Sequence, residues 1–123
     1  KVFKDPNGYS MYAKFFDEFN INWTKNPEAN LKFLREIQND CNDLLHSRGY
    51  LFLNEVYQML GIPITQYGQQ VGWIMGNGDD FVDFGIMDGY RESVRDFVNG
   101  YEPSILLDFN VDGIIWDKIW MAG

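Results

Sequence analysis

The sequence has very little of what metal centres and covalent catalysis need. It contains one cysteine, Cys41, and one histidine, His46, among 123 residues. A single cysteine excludes an intrachain disulfide, and the two residues are too few for the Cys and His clusters that hold structural zinc. On a common helix their side chains would point about 140° apart, so they would not form a catalytic pair. We expect Cys41 to be a buried thiol and His46 to interact with the helix C-terminus.

Basic residues are also scarce. Ten Lys and Arg accompany eighteen Asp and Glu, which gives a formal charge of −8. The clustered cations that contact nucleic-acid phosphates are missing, so direct nucleic-acid binding is disfavoured. No apolar run approaches the roughly 20 residues of a membrane span, and no signal peptide opens the sequence. The chain as given is therefore expected to be soluble, with no membrane contact of its own.

Apolar residues are abundant, at 46% of the chain, and aromatic residues make up 17%. This content, in a chain of this length, is typical of one globular domain that buries a sizeable core. Helical patterns come first along the chain and strand patterns follow. We therefore predict an α+β domain over residues 1–123, with N-terminal helices, one of them long, packed on a small antiparallel sheet of about three strands.

The strongest helical signal lies between Asn26-Pro27, an N-cap followed by proline, and Gly49, which is typical of a helix end. Between them apolar residues recur at steps of three and four, as on one face of a helix. The other helical segments are weaker and shorter. The predicted helices are residues 11–19 after the N-cap Ser10, residues 27–48, residues 53–60 before Gly61 and Pro63, and one or two turns within residues 90–98.

Strand patterns dominate after residue 70. Val71, Trp73 and Met75 alternate ahead of the turn sequence GNGDD, so residues 71–75 and 81–86 are predicted to form a β-hairpin. Residues 104–111 predict a third strand, and residues 114–121 a helical or irregular tail. Asp-Pro and Asn-Gly make residues 1–9 an extended lead-in.

Oxygen-bearing side chains occupy alternate positions in DFNVDG, residues 108–113. Asp108, Asn110 and Asp112 fit the first, third and fifth positions of an EF-hand loop, and Gly113 fits the sixth. The twelfth position is Ile119, where a calcium loop needs a bidentate Glu. These residues therefore match only part of a calcium site.

A strand explains the same residues more simply. Alternation sends Leu107, Phe109 and Val111 to the core and the three polar side chains to water, with Asp112-Gly113 as a turn. We favour the strand interpretation. An irregular calcium site formed by Asp108, Asn110 and Asp112 is the alternative, and calcium is then the one cofactor to test.

A second group of acids lies around the predicted hairpin turn: Asp79, Asp80, Asp83 and Asp88. A metal-dependent nuclease uses such carboxylates, but it commonly also needs an acid and a lysine two positions apart on a neighbouring strand. Asp117 and Lys118 are adjacent and point apart. We interpret the group as a solvated charged turn.

The tail carries two tryptophans close to the end of the sequence. If it is helical, Ile115, Trp116, Ile119 and Trp120 form one apolar stripe. Packing of the stripe on the sheet and docking of a partner protein both fit the pattern, since Trp is enriched in binding hot spots. The interface residues predicted for the docking alternative are Trp116, Ile119 and Trp120.

Three strings carry a family resemblance: SMYAKFFDEFNINWTKNPEANLKFLREIQNDCND, LFLNEVYQMLGIP continuing through VGW to VDFGI, and FVNGYEPSILLDFNVDGIIWDKI. With them the chain resembles, over nearly its whole length, the carboxy-terminal domain of DUF6353, a phage and prophage family of unknown function from Gram-positive hosts. Members typically carry apolar, membrane-like segments and a charged connector ahead of this domain, and the present sequence lacks that portion. The resemblance implies no catalytic residues, because the family has none assigned.

Together these observations predict a non-enzymatic protein-interaction or virion structural domain of a phage-encoded protein. The expected partner is a protein, either another virion component or a second copy. The expected location is the virion or the host cytoplasm, or the membrane through a longer parent protein. Besides the calcium alternative, the acidic composition allows a decoy that occupies the nucleic-acid groove of a host protein.

Overall fold

The computed structural model describes residues 10–86 and 91–121, except the side chain of residue 121. The strands are β1 (Lys14–Phe16), β2 (Tyr50–Phe52), β3 (Val71–Ile74), β4 (Ile105–Leu107) and β5 (Gly113–Ile114). The helices are α1 (Pro27–Arg48), α2 (Leu53–Leu60) and α3 (Glu92–Val98), with short 3-10 helices at Tyr67–Gln69 and Ile119–Met121. The predicted lead-in at residues 1–9 and the candidate Asp88 lie outside the described residues.

The long helix is confirmed, and its ends follow the capping signals in the sequence. The side-chain oxygen of Asn26 accepts hydrogen bonds from the backbone N–H groups of Glu28 and Ala29, at 3.0 and 3.2 Å. Gly49 takes the left-handed conformation, with φ at 92°, and its N–H donates to the carbonyl of Leu45. Helix α2, which ends at Gly61, and helix α3 are confirmed as well.

The class is α+β, as predicted, but the strands form two small antiparallel sheets. Strand β1 pairs with β4, and Phe16 lies opposite Ile105. Strand β3 is the centre of the other sheet, in the order β2-β3-β5, and Trp73 lies opposite Leu51. The core thus includes buried residues from all three helices and from two sheets instead of one.

The prediction of a helix over residues 11–19 is wrong, because part of this segment is strand β1. The side chain of Ser10 accepts a hydrogen bond from the N–H of Tyr12 in a turn, where we predicted a helix N-cap. A nine-residue helix is marginal in water, and aromatic residues suit a strand that has a partner. Pairing with β4 therefore outweighs the local helical pattern.

The predicted hairpin is also wrong, because residues 81–86 form an irregular segment without strand pairing to β3. Two of their backbone N–H groups bond instead to side chains of α1. The N–H of Val82 donates to the Asn42 side chain at 2.7 Å, and the N–H of Phe84 donates to the Gln38 side chain at 2.9 Å. Both edges of β3 are instead paired, one with β2 and the other with β5.

The last part of the chain is only partly as predicted. Strand β4 is shorter than the expected residues 104–111, and Asp112-Gly113 leads directly into β5 instead of forming an ordinary turn. The tail is an irregular segment that ends in a 3-10 helix. The stripe expected for a helical tail does not form, because Ile115 is fully buried whereas Trp116 is exposed.

Candidate functional site

The residues proposed for calcium lie on the segment between β4 and β5. Leu107, Phe109 and Val111 are buried, as the alternation predicts. The polar side chains between them are partly buried and bond to the protein itself. An oxygen of Asp108 accepts from the N–H of Ser10 at 3.1 Å, and an oxygen of Asp112 accepts from the N–H of Ile74 at 3.0 Å.

Asn110 joins three parts of the fold through its side-chain amide. Its oxygen accepts from the indole N–H of Trp73 at 2.9 Å and from the N–H of Asp83 at 2.7 Å. Its nitrogen donates to a carboxylate oxygen of Asp79 at 3.0 Å and to the carbonyl of Phe81 at 2.9 Å. We call this arrangement the Asn110 junction. It ties the acidic loop at residues 76–83 to β3 and to the segment before β5.

Asp112 lies under the acidic loop in an unfavourable position for a carboxylate. Burial raises its pKa above the ordinary aspartate value, and the negative charges of Asp79 and Asp80 raise it further, while the hydrogen bond from Ile74 acts in the opposite direction. A side chain at Gly78 would clash with this carboxylate. The loop therefore brings three acids together, and its close approach depends on glycine.

Calcium binding by Asp108, Asn110 and Asp112 stays a prediction. At least one side-chain oxygen of each residue already accepts a protein hydrogen bond. Among residues 10–86 and 91–121, no group of three or more His, Cys, Asp or Glu side chains is arranged around a metal position. Calcium needs six to eight oxygen ligands.

Thermal unfolding in EDTA and in about 1 mM calcium tests this alternative. A site with a dissociation constant near 10 µM would add about 2.7 kcal/mol and raise the midpoint by several degrees. Because at least one oxygen of each residue is already engaged, we expect coincident curves. A rise with calcium that magnesium does not reproduce would contradict this expectation and restore the calcium site.

Cys41 and His46 serve separate parts of the structure. Cys41 is fully buried, as predicted, and burial raises the pKa of its thiol to about 12, with smaller contributions from Asp40 and Glu55. His46 lies in the last turn of α1, and its Nε2 is 2.8 Å from the carbonyl oxygen of Asp80. The ring thus contacts the acidic loop, and the thiol stays protonated at neutral pH.

The tail exposes large apolar side chains next to strand β5. Ile114 is 52% exposed, Trp116 57% and Trp120 79%, whereas Ile119 is partly buried. The indole N–H of Trp120 donates to the carbonyl of Asp117 at 2.9 Å, which fixes the ring within its own turn. We call Ile114, Trp116 and Trp120 the C-terminal patch. Of the three predicted interface residues, the patch includes the two tryptophans.

Sequence reasoning missed a second exposed apolar region. Phe15 and Phe19, within the segment that we predicted to be a helix, are 61% and 89% exposed. They line a surface groove of about 320 Å³ together with Pro63. Strand β1 buries Phe16 and exposes Phe15. The sequence gives no sign of this difference, because the two neighbours are the same residue type.

The family of unknown function DUF6353 has a model that matches residues 1–119. The chain belongs to this family. Comparison with curated proteins and with solved structures found no match for this family member. In the part of the DUF6353 chain that the structure describes, no helix combines the length and apolar character that crossing a bilayer requires.

Proposed function

We propose that this DUF6353 domain is a non-enzymatic protein-interaction module whose C-terminal patch binds another protein. In the phage setting that the resemblance implies, it is a structural or accessory component of the virion and its partner is another virion protein. The observation that carries the proposal is the exposure of Trp116 and Trp120 within a few residues of each other. Tryptophan is the residue most enriched in binding hot spots.

The energetics of the patch favour a covered state. Burial of apolar surface by a partner would contribute roughly 25 cal/mol of favourable free energy for each Å² removed from water. An isolated exposed apolar residue is ordinary, but Ile114, Trp116 and Trp120 are all exposed within one stretch of seven residues. Burial of two indole rings would therefore provide a large part of the binding free energy.

The chemistry of the remaining side chains gives an enzyme little support. Cys41 is buried and protonated at neutral pH. His46 contacts the acidic loop and does not face the thiol. This distribution leaves the exposed surface as the part of the described chain best suited to a function.

Charge argues for a partner that differs from the chain itself. Each chain carries a formal charge of −8, so two copies repel each other as they approach. A partner with a neutral or basic contact surface avoids this repulsion.

Site-specific photocrosslinking tests the proposal. Benzoylphenylalanine replaces Trp116, Trp120 or, as the control, Tyr101, an aromatic residue that is 81% exposed elsewhere on the surface. Cells that express the parent gene are irradiated, and the crosslinked peptides are identified by mass spectrometry. We expect positions 116 and 120 to crosslink to the same protein and position 101 not to. Crosslinks shared equally by all three positions, crosslinks only to a second copy, or none from 116 and 120 would contradict the proposal.

The identity of the crosslinked protein also decides between this proposal and the acidic decoy. A decoy would bind a basic host protein in its nucleic-acid groove, and this binding would weaken steeply as salt screens the charges. Binding through the tryptophans depends mainly on apolar burial. Its affinity should therefore fall much less steeply than that of a decoy between about 0.1 and 0.5 M salt.

A further inference from the structure

A groove opens beside the C-terminal patch. It has a volume of about 520 Å³, and its walls include Met11, Tyr12, Asn77, Asp112, Ile114 and Lys118. A second recess, of about 330 Å³, continues past Asn77 and Asp112 to Asp79. Volumes of about 300–1,000 Å³ are typical of ligand pockets. We call the larger opening the Asp112 groove.

Apolar side chains line the entrance of the groove. Met11 and Ile114 are about half exposed, at 53% and 52%. Met75, 38% exposed, lines an adjoining recess with Asn77 and Lys118. Unbranched Met side chains adapt to differently shaped partners. These walls suit an aliphatic side chain from another molecule.

The electrostatic field around the groove is negative. Burial is the main cause of the raised pKa of Asp112, and the negative charges of Asp79 and Asp80 on the acidic loop raise it further, while backbone hydrogen bonds from Ile74 and Asp79 lower it. Among residues 10–86 and 91–121, the salt bridges are Lys32–Glu36 and Arg48–Glu55, so none of the three acids forms one with a lysine or arginine. Lys118 is the one cation among the described groove residues. The negative charge of the loop is therefore largely uncompensated.

We propose that the Asp112 groove binds a segment of the partner protein that presents a lysine or arginine next to an aliphatic side chain. The cation lies against Asp79 and Asp112, and the aliphatic group packs on Met11 and Ile114. The inference rests on the proposed function, because Ile114 belongs to both the patch and the groove. It adds the chemistry of the partner, which the tryptophans alone do not specify.

The two features reinforce each other in recognition. The apolar walls can accept many different aliphatic side chains. The uncompensated acids favour segments in which such a side chain stands next to a positive charge. A segment with glutamate in place of lysine would meet the negative loop directly. The groove thus discriminates by charge, while the patch supplies apolar contact area.

Fluorescence anisotropy with the full chain and labelled synthetic peptides tests the inference. The main probe is an eight-residue peptide that alternates leucine and lysine. One comparison peptide has serine in place of leucine, and another has glutamate in place of lysine. We expect the leucine–lysine peptide to bind at about 0.1 M salt and each comparison peptide to bind at least about five-fold more weakly.

Two groove variants locate the binding. Asp79→Asn with Asp80→Asn removes two charges and keeps the oxygens that accept from Asn110 and from the N–H of Gly76. Asparagine also tolerates the positive φ of 63° at position 80. Ile114→Ser removes an exposed apolar wall and has little effect on folding, so it carries the test even if the charge variant fails to fold.

The matched control, Asp40→Asn with Asp43→Asn, removes the same number of charges from exposed positions on α1. We expect both groove variants to lose about five-fold or more in affinity and the control less than about two-fold. Equal losses of affinity in the two charge variants would show that the peptide is attracted by the net negative charge of the chain and not by the groove. That result would overturn the inference. Failure of the leucine–lysine peptide to bind would overturn it as well. Neither outcome affects the crosslinking at positions 116 and 120, on which the proposed function depends.

Discussion

Replacing Asn110 with alanine is expected to lower the free energy of unfolding by about 3 kcal/mol and the midpoint of thermal unfolding by roughly 10 °C. The variant removes four hydrogen bonds. The indole N–H of Trp73, a fully buried residue, and the N–H of Asp83 would lose their acceptor. Each buried donor left unsatisfied costs about 1–3 kcal/mol.

Two further variants distinguish the loss of the Asn110 junction from the loss of any asparagine side chain. Asn39→Ala, at an exposed position of α1, should change stability by less than about 0.5 kcal/mol. Asn110→Asp keeps an acceptor for Trp73 and Asp83 but loses the donor and places a charge beside Asp79, so it should destabilise the protein more at pH 7 than at pH 3. If Asn110→Ala had the same midpoint of thermal unfolding as Asn39→Ala, the Asn110 junction would have no structural role.

Replacing Gly72 with alanine is expected to cost about 3 kcal/mol in urea unfolding, because it obstructs the pairing of β2 with β3. An added Cβ would clash with the carbonyl oxygen of Leu51 and approach the Cα of Phe52. These atoms belong to the backbone of β2, so they cannot move aside by a change of side-chain rotamer. The carbonyl of Gly72 also accepts from the N–H of Asp112, at 2.9 Å, so a displaced β3 would disturb the groove.

Gly76→Ala is the matched control for this prediction. Its φ of 85° is strained for alanine, but a Cβ there meets no atom within 4 Å. The control should therefore cost only about 1 kcal/mol, the typical penalty of a left-handed alanine. Equal costs at the two positions would show that the close approach of β2 does not determine the need for glycine at position 72, which has no positive φ.

The helices could be predicted because their signals are local. Asn26 and Gly49 cap α1 with groups that lie within a few residues of the helix ends. The strand partners could not be predicted in the same way. Residues 14–16 pair with residues 105–107, far away along the chain, and their local pattern of aromatic residues resembled a short helix. Tertiary pairing decided between the two.

The site shows the same division between local and distant information. Alternation correctly assigned Leu107, Phe109 and Val111 to the core. It gave no sign that Asn110 would bond to Trp73 and Asp79, because those partners lie more than 30 residues away. The exposure of Trp116 and Trp120 depends likewise on where β5 lies, which the sequence pattern did not specify.

The affinity of the crosslinked partner is the most direct measure of the central claim, that the C-terminal patch is a protein-binding surface. Calorimetry would compare the unmodified chain, the variant Trp116→Ala with Trp120→Ala, and Tyr101→Ala as the control. We predict that the double variant loses at least about 100-fold in affinity, since hot-spot tryptophans contribute about 2 kcal/mol or more each, while its unfolding midpoint stays within a few degrees. Equal affinities for all three proteins would contradict the claim.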